Sequence, residues 1–85
     1  MNARQRRTLA AIFEKPIRRD IRWADFESLV NALGGTVTSG SGSHRRIVLK
    51  ETKFNTVKPH PDAILKVYQV KQFREVPKSL RVTPK

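Results

Sequence analysis

Five apolar residues, Trp23, Phe26, Leu29, Val30 and Leu33, fall on one stripe at helical spacing and predict a helix across "WADFESLVNALGG". Asp25 and Glu27 near its start suit the positive end of the helix dipole, and Gly34 and Gly35 stop it. Trp23, spaced with Phe26, reads as a core plug rather than a ligand platform. Upstream, Leu9, Ile12 and Phe13 at i, i+3, i+4 predict a shorter helix ending near Glu14, because Pro16 forbids continuation. After the glycines the period changes. "TVT" and "RRIVLK" are rich in β-formers and predict two strands joined by the flexible run "SGSGS"; beyond the polar turn "ETK", "FNTVKP" predicts a third strand that Pro59 closes. On the second strand Ile47 and Leu49 share one face, and Arg46, Val48 and Lys50 the other. The helical period returns with Val67, Val70 and Phe73, and Pro77 is expected to end that run. Its start has two readings: an N-cap at Asp62, or an irregular approach to a helix beginning near Lys66.

The order is therefore α-α-β-β-β-α. A three-stranded antiparallel sheet cannot bury its apolar face alone, so Phe26, Leu29 and Leu33 from one helix and Val67, Val70 and Phe73 from another are expected to pack across it. This is an α+β two-layer sandwich, with the outer sheet face left in water. The chain divides into a basic N-terminal lead-in with a short helix, residues 1–20, a compact domain, residues 21–77, and a basic, flexible tail, residues 78–85.

Charge then narrows the choice of partner. The 85 residues carry 18 Lys and Arg against 7 Asp and Glu, a formal net charge of +11. Residues 1–22 hold seven of the basic residues and two of the acidic ones, and so nearly half of the excess. Repulsion on this scale works against compactness unless a polyanion relieves it, which points to nucleic acid or an acidic protein. Without cysteine there is no disulfide framework or thiolate metal site, and two separated histidines make a poor zinc site, so no metal and no cofactor are expected. The chain has no apolar run long enough to span a membrane, and the apolar stretch in "MNARQRRTLAAIF" is too short for a secretion signal; a cytoplasmic location is expected.

The candidate chemistry sits in "SGSGSHRR", residues 39–46. Glycine lets backbone approach a ligand, arginine attracts phosphate, and histidine moves protons near neutral pH. Cleavage of RNA by its own 2′-hydroxyl needs a base, cationic stabilisation of the phosphorane and an acid, and it needs no metal. His44 suits the first or last role and Arg46, two residues along, should share its side of the sheet, while Arg45 faces away. Lys58, at the end of the adjacent strand, is a further candidate for the same surface. Two readings of His44 stand side by side: a proton-transfer residue, or a strand-end histidine that helps to hold phosphate. "SGSGS" likewise reads as a phosphate cradle or as a linker. His60, locked between prolines in "KPHPD", reads first as a turn residue against a helix start and second as a substrate contact.

Taken together, "WADFESLVNALGG", "GSHR" on a strand and "VKPHP…YQVKQFRE" resemble the HicA toxin family of type II toxin–antitoxin systems over approximately residues 21–76. The resemblance implies a fold similar to double-stranded-RNA-binding domains, a metal-independent endoribonuclease acting on mRNA, and one functional histidine in a Gly-Ser-His motif, here Gly42, Ser43 and His44. It also implies inhibition by a cognate antitoxin resembling HicB. No catalytic role is carried over to His60. The arginine-rich segment before Ile21 lies outside the family's compact core, and Pro77 cuts the last helix where relatives often run on or end in small polar residues. The expected site is therefore His44 for catalysis, with Gly42, Ser43, Arg45, Arg46 and Lys58 for RNA. A module of the same shape that binds RNA by shape and charge without turnover is the alternative, and a basic protein that meets only an acidic protein partner is a third.

Overall fold

The computed structural model describes residues 1–79. Helices α1 (Ala3–Ile12) and α2 (Trp23–Ala32) precede strands β1 (Thr36–Ser39), β2 (His44–Leu49) and β3 (Thr52–Val57), and α3 (Val67–Phe73) and α4 (Glu75–Ser79) complete the fold. The strands form an antiparallel sheet in the order β1-β2-β3. This is the expected α+β arrangement, with its last helix broken in two.

The apolar stripe of α2 packs as its spacing predicts. Trp23, Phe26, Leu29 and Val30 are buried with Ile47 and Leu49 of β2, and Phe26 stacks on Phe73 of α3 with ring centroids 4.0 Å apart. Trp23 and Phe54 lie against the same Phe73 ring, at 6.2 and 5.5 Å. Leu33 is half-buried at the edge of this core, and Val67 is half-buried as well. The expected core was too small. Leu9 and Ile12 of α1, Ile21, Leu65 and Val76 are buried in the same cluster.

The N-terminal segment is thus part of the core, and polar bonds hold it there. Asn2 and Gln5 cap α1 reciprocally: the Gln5 N–H donates to Asn2 Oδ1 at 2.8 Å, and the Asn2 N–H donates to Gln5 Oε1 at 2.9 Å. Gln5 Nε2 also donates to Ser28 Oγ of α2 at 2.9 Å. At the other end, Arg74 donates from Nε to the Ile12 carbonyl at 2.8 Å and from Nη2 to the Glu14 carbonyl at 3.1 Å. A cation beside carbonyls that the end of α1 leaves open is favourable twice over, as a hydrogen bond and against the helix dipole.

Helix α2 ends in a Schellman motif. Gly34, at φ +90°, donates to the Asn31 carbonyl, and Gly35 donates to Val30 at 2.9 Å. Gly35 answers a second demand, because a Cβ there would lie 2.8 Å from the Val48 carbonyl oxygen and 2.9 Å from a Val30 methyl. The sheet approaches the end of the helix that closely.

Two expectations need correction. Pro77 does not end the helical run; α4 passes through it. Proline has no N–H for the Phe73 carbonyl, so α3 breaks at Arg74, and within the first turn of α4 the missing donor costs nothing. Lys50 is not on the strand. With Glu51 it forms the two-residue turn of the β2–β3 hairpin at φ +53°, so β3 begins earlier than expected, at Thr52. Of the two readings for the start of α3 the structure takes the second: Asp62 Oδ1 accepts from the Ile64 N–H within an irregular approach, and α3 starts after Lys66. That approach is anchored where the Leu65 N–H donates to Ile21 O and the Trp23 N–H to Ala63 O, each at 2.8 Å. The tail from residue 80 onward lies outside the described residues.

Two stability predictions follow from this packing. Gly35→Ala should destabilise the fold by about 1–3 kcal/mol, because backbone must move to admit the methyl group. Arg74→Met should cost about 1–3 kcal/mol by stranding the Ile12 carbonyl. Denaturant unfolding checks both, with the exposed Gly42→Ala change as a comparison in which φ strain acts without a steric clash.

Candidate nucleic-acid interface

The run "SGSGS" is a hydrogen-bonded turn rather than a loose linker. The Gly40 N–H donates to the His44 carbonyl at 2.9 Å, and the His44 N–H returns to Ser41 O at 3.0 Å. Gly42 supplies the left-handed residue of the turn, at φ +58°. Among the described residues, the N–H groups of Ser41, Gly42 and Ser43 donate to no protein acceptor, so three consecutive donors remain at the tip.

His44 opens β2, paired across the sheet with Val57 of β3, and Arg46 is paired with Asn55. Opposed residues share a face, so His44, Arg46, Asn55 and Val57 lie on the outer side of the sheet, away from the helices. His44, Arg46 and Asn55 are exposed. Arg45 belongs to the other face, opposite Thr56, yet its guanidinium turns back along the tip: Nη1 donates to the His44 carbonyl at 2.8 Å and to the Gly42 carbonyl at 3.0 Å. Arg45 thereby braces the turn that carries His44. Ser39, Gly40, His44, Arg45, Arg46 and Asn55 line one cleft of about 470 Å³. No carboxylate lines it.

Lys58 does not enter that cleft. Its N–H donates to the Ser43 carbonyl at 2.8 Å, extending the β2–β3 ladder one bond beyond Val57. Lys58 instead lines a second cleft with Ser43, Val57, Pro59, His60, Lys66, Tyr68 and Gln69. Ser43 therefore stands between the two. Lys66 and Tyr68 are not among the expected site residues, and His60 is there only as a second reading; the turn into α3 brings all three beside the Gly-Ser-His tip.

Charge is distributed unevenly over the fold. Arg4 pairs with Asp25 at 2.8 Å, and Arg18 binds Glu14 at 2.7 Å and Asp20 at 2.6 Å. The hydrogen bond to Asp20, then that to Glu14, raises the pKa of Arg18, and the same bond from Arg18 lowers that of Asp20. Lys78 and Glu75 form a longer pair at 3.8 Å. Among the described residues, none of these pairs involves the sheet or its Ser-Gly turn. Carboxylates thus pair with Arg4, Arg18 and Lys78 on the helical side, and the cations of the sheet edge take part in no ion pair among the described residues.

No three His, Cys, Asp or Glu side chains group as metal ligands among the described residues, and no helix there is long and apolar enough to cross a membrane.

Neither a curated protein nor a solved structure matches the chain. A family model does: the one described as HicA toxin of bacterial toxin-antitoxin matches residues 23–78, from the first residue of α2 into α4. That span contains the whole sheet, the Gly-Ser-His turn and both clefts beside it, and it leaves α1 outside although α1 is packed into the same core. The chain belongs to the HicA toxin family, the toxin component of toxin–antitoxin systems, whose members are partnered by an antitoxin.

Proposed function

We propose that this toxin is an endoribonuclease that cleaves mRNA without a metal, with His44 as the proton-transfer residue, and that a HicB-like antitoxin silences it by covering the sheet edge. The observation that carries the reading is an exposed imidazole at the tip of a braced hairpin, in a cleft shared with Arg46 and Asn55 and lined by no carboxylate.

The neutral imidazole of His44 takes the proton of a ribose 2′-hydroxyl. The O2′–P bond forms as the P–O5′ bond breaks, and the imidazolium returns its proton to the leaving 5′-oxygen. The products are a 2′,3′-cyclic phosphate and a 5′-hydroxyl, and the histidine ends as it began. One ring serving twice suits a cleft in which His44 is the only side chain able to exchange protons near neutral pH. Arg46 stabilises the charge that develops on the phosphorane, and the free N–H groups of Ser41, Gly42 and Ser43 hold a neighbouring phosphate. Arg45 acts chiefly through the turn it braces. Lys58 holds the strand on the far side of Ser43.

Three outcomes are expected. In EDTA, wild-type protein shortens single-stranded RNA, and His44→Gln slows this by about 100-fold or more; equal cleavage by both proteins removes His44 from the mechanism, and intact RNA with both at several salt concentrations leaves only a binding module. An oligonucleotide with a 2′-deoxyribose at the cut position resists cleavage there. RNA affinity falls linearly in log[salt] with a slope of about −0.7 for each phosphate held, and Arg46→Gln makes that slope shallower by about one such step.

A further inference from the structure

The second cleft has no role in the proton transfer just described. It encloses about 440 Å³, within the range of small-ligand sites, roughly 300–1,000 Å³. Apolar Val57, buried Pro59 and aromatic Tyr68 line it together with Lys58, His60 and Lys66. Tyr68 is the second residue of α3 and is 59% exposed, an unusual state for a large aromatic beside a well-filled core.

Gln69, by contrast, is fully buried and fully engaged. Its Nε2 donates to the Val57 carbonyl at 2.8 Å and to Thr56 Oγ1 at 3.1 Å, while its Oε1 accepts from the Lys66 N–H at 3.0 Å. It fixes the back of the cleft and has no amide proton left for a ligand. Asp62, the one acidic residue between Glu51 and Glu75, turns to the Ile64 N–H and lines a different cleft with Arg19 and Lys66. No carboxylate lines the cleft of Tyr68, and Lys58 and Lys66 take part in no ion pair among the described residues.

We infer that this cleft holds a nucleobase of the bound RNA strand, stacked on Tyr68, with Lys58 and Lys66 against the flanking phosphates. The inference rests on the reading of the sheet edge as an RNA surface. An aromatic face framed by cations is how single strands are held without regard to sequence, since every base has a π-face. Position supports the same occupant. Ser43 lines this cleft and His44 lines the other, and adjacent Cα atoms are about 3.8 Å apart, so one strand crossing the end of the sheet meets both within a nucleotide or two. The phosphodiester at His44 then lies next to the nucleotide whose base Tyr68 holds. Tyr68 becomes a residue that sets where the strand is cut.

The test uses the full chain carrying His44→Gln, so that RNA stays intact, titrated with a labelled single-stranded oligonucleotide. Adding Tyr68→Ala should weaken binding by about 10-fold, and Tyr68→Phe should hold it within about twofold. An abasic nucleotide scanned along the oligonucleotide should reproduce the 10-fold loss at one position, and at that position it should cost nothing further in the Tyr68→Ala protein. In the chain with native His44, Tyr68→Ala should raise KM more than it lowers kcat. Equal affinity for Tyr68→Ala and for every abasic oligonucleotide would overturn the inference, whether or not the wild-type protein cleaves RNA. Base-dependent binding with no cleavage would sustain this site and remove the nuclease reading instead. If Tyr68→Ala leaves RNA binding and cleavage intact but abolishes inhibition by the antitoxin, the cleft is the protein partner's surface and the inference is wrong. Because Tyr68 is exposed, the variant's thermal midpoint should match its parent's, and the abasic scan gives a reading that needs no change at Tyr68.

Discussion

The buried amide of Gln69 governs the geometry of both clefts. By gripping the Val57 carbonyl it holds the residue paired with His44, and by accepting from the Lys66 N–H it fixes where α3 begins. The next step along β3, the bond from Lys58 to the Ser43 carbonyl, secures the base of the Ser-Gly turn. A polar side chain with no exposed surface is stable only when its donors and acceptors find partners, and here each has one. An apolar residue of the same size would fill the space and leave Thr56, Val57 and Lys66 with unpaired groups. The core thus positions the histidine through a chain of backbone bonds rather than through contact with the imidazole itself, whose ring stays open to solvent.

Unpaired cations give this placement its use. On the helical side carboxylates pair with Arg4, Arg18 and Lys78, while the sheet edge leaves Arg46, Lys58 and Lys66 without an ion pair among the described residues. Exposed pairs of this kind contribute little to stability. The cations without a carboxylate partner keep their full field, and at the end of the sheet that field faces the cleft lined by His44 and Arg46. A partner that neutralises the toxin meets the same field, so an acidic surface opposite β2 and β3 would cover the surface proposed for RNA.

Helix α1 shows how a segment outside the family's matched span becomes structural. Its contribution is small in sequence terms, Leu9 and Ile12 on one side and a capped start on the other, but Arg74 reaches from the end of α3 to close it. In a chain of this size each added apolar residue matters, because small domains bury a low fraction of their surface. The arginines that remain on its outer face extend the basic surface of the helical side.

The spacing of apolar residues in the sequence determined the strands, the central helix, the two faces of β2 and the aromatic core, since period and side-chain size act locally and the sheet had only one way to bury Ile47 and Leu49. It marked His44 and Arg46 for the same reason: alternation along a strand is a backbone property. Tertiary structure decided what depends on groups far apart in the chain. Arg74 closing α1 joins residues 60 or more positions apart, and Pro77 inside a helix is intelligible only once α3 has broken before it. Lys58 faces the second cleft instead of His44 because register and the turn at Pro59 set its direction, and Tyr68 joins that cleft because Gln69, its neighbour, is pulled into the core. Periodicity records which side of an element is buried, whereas the meeting of two elements depends on hydrogen bonds that no single element contains.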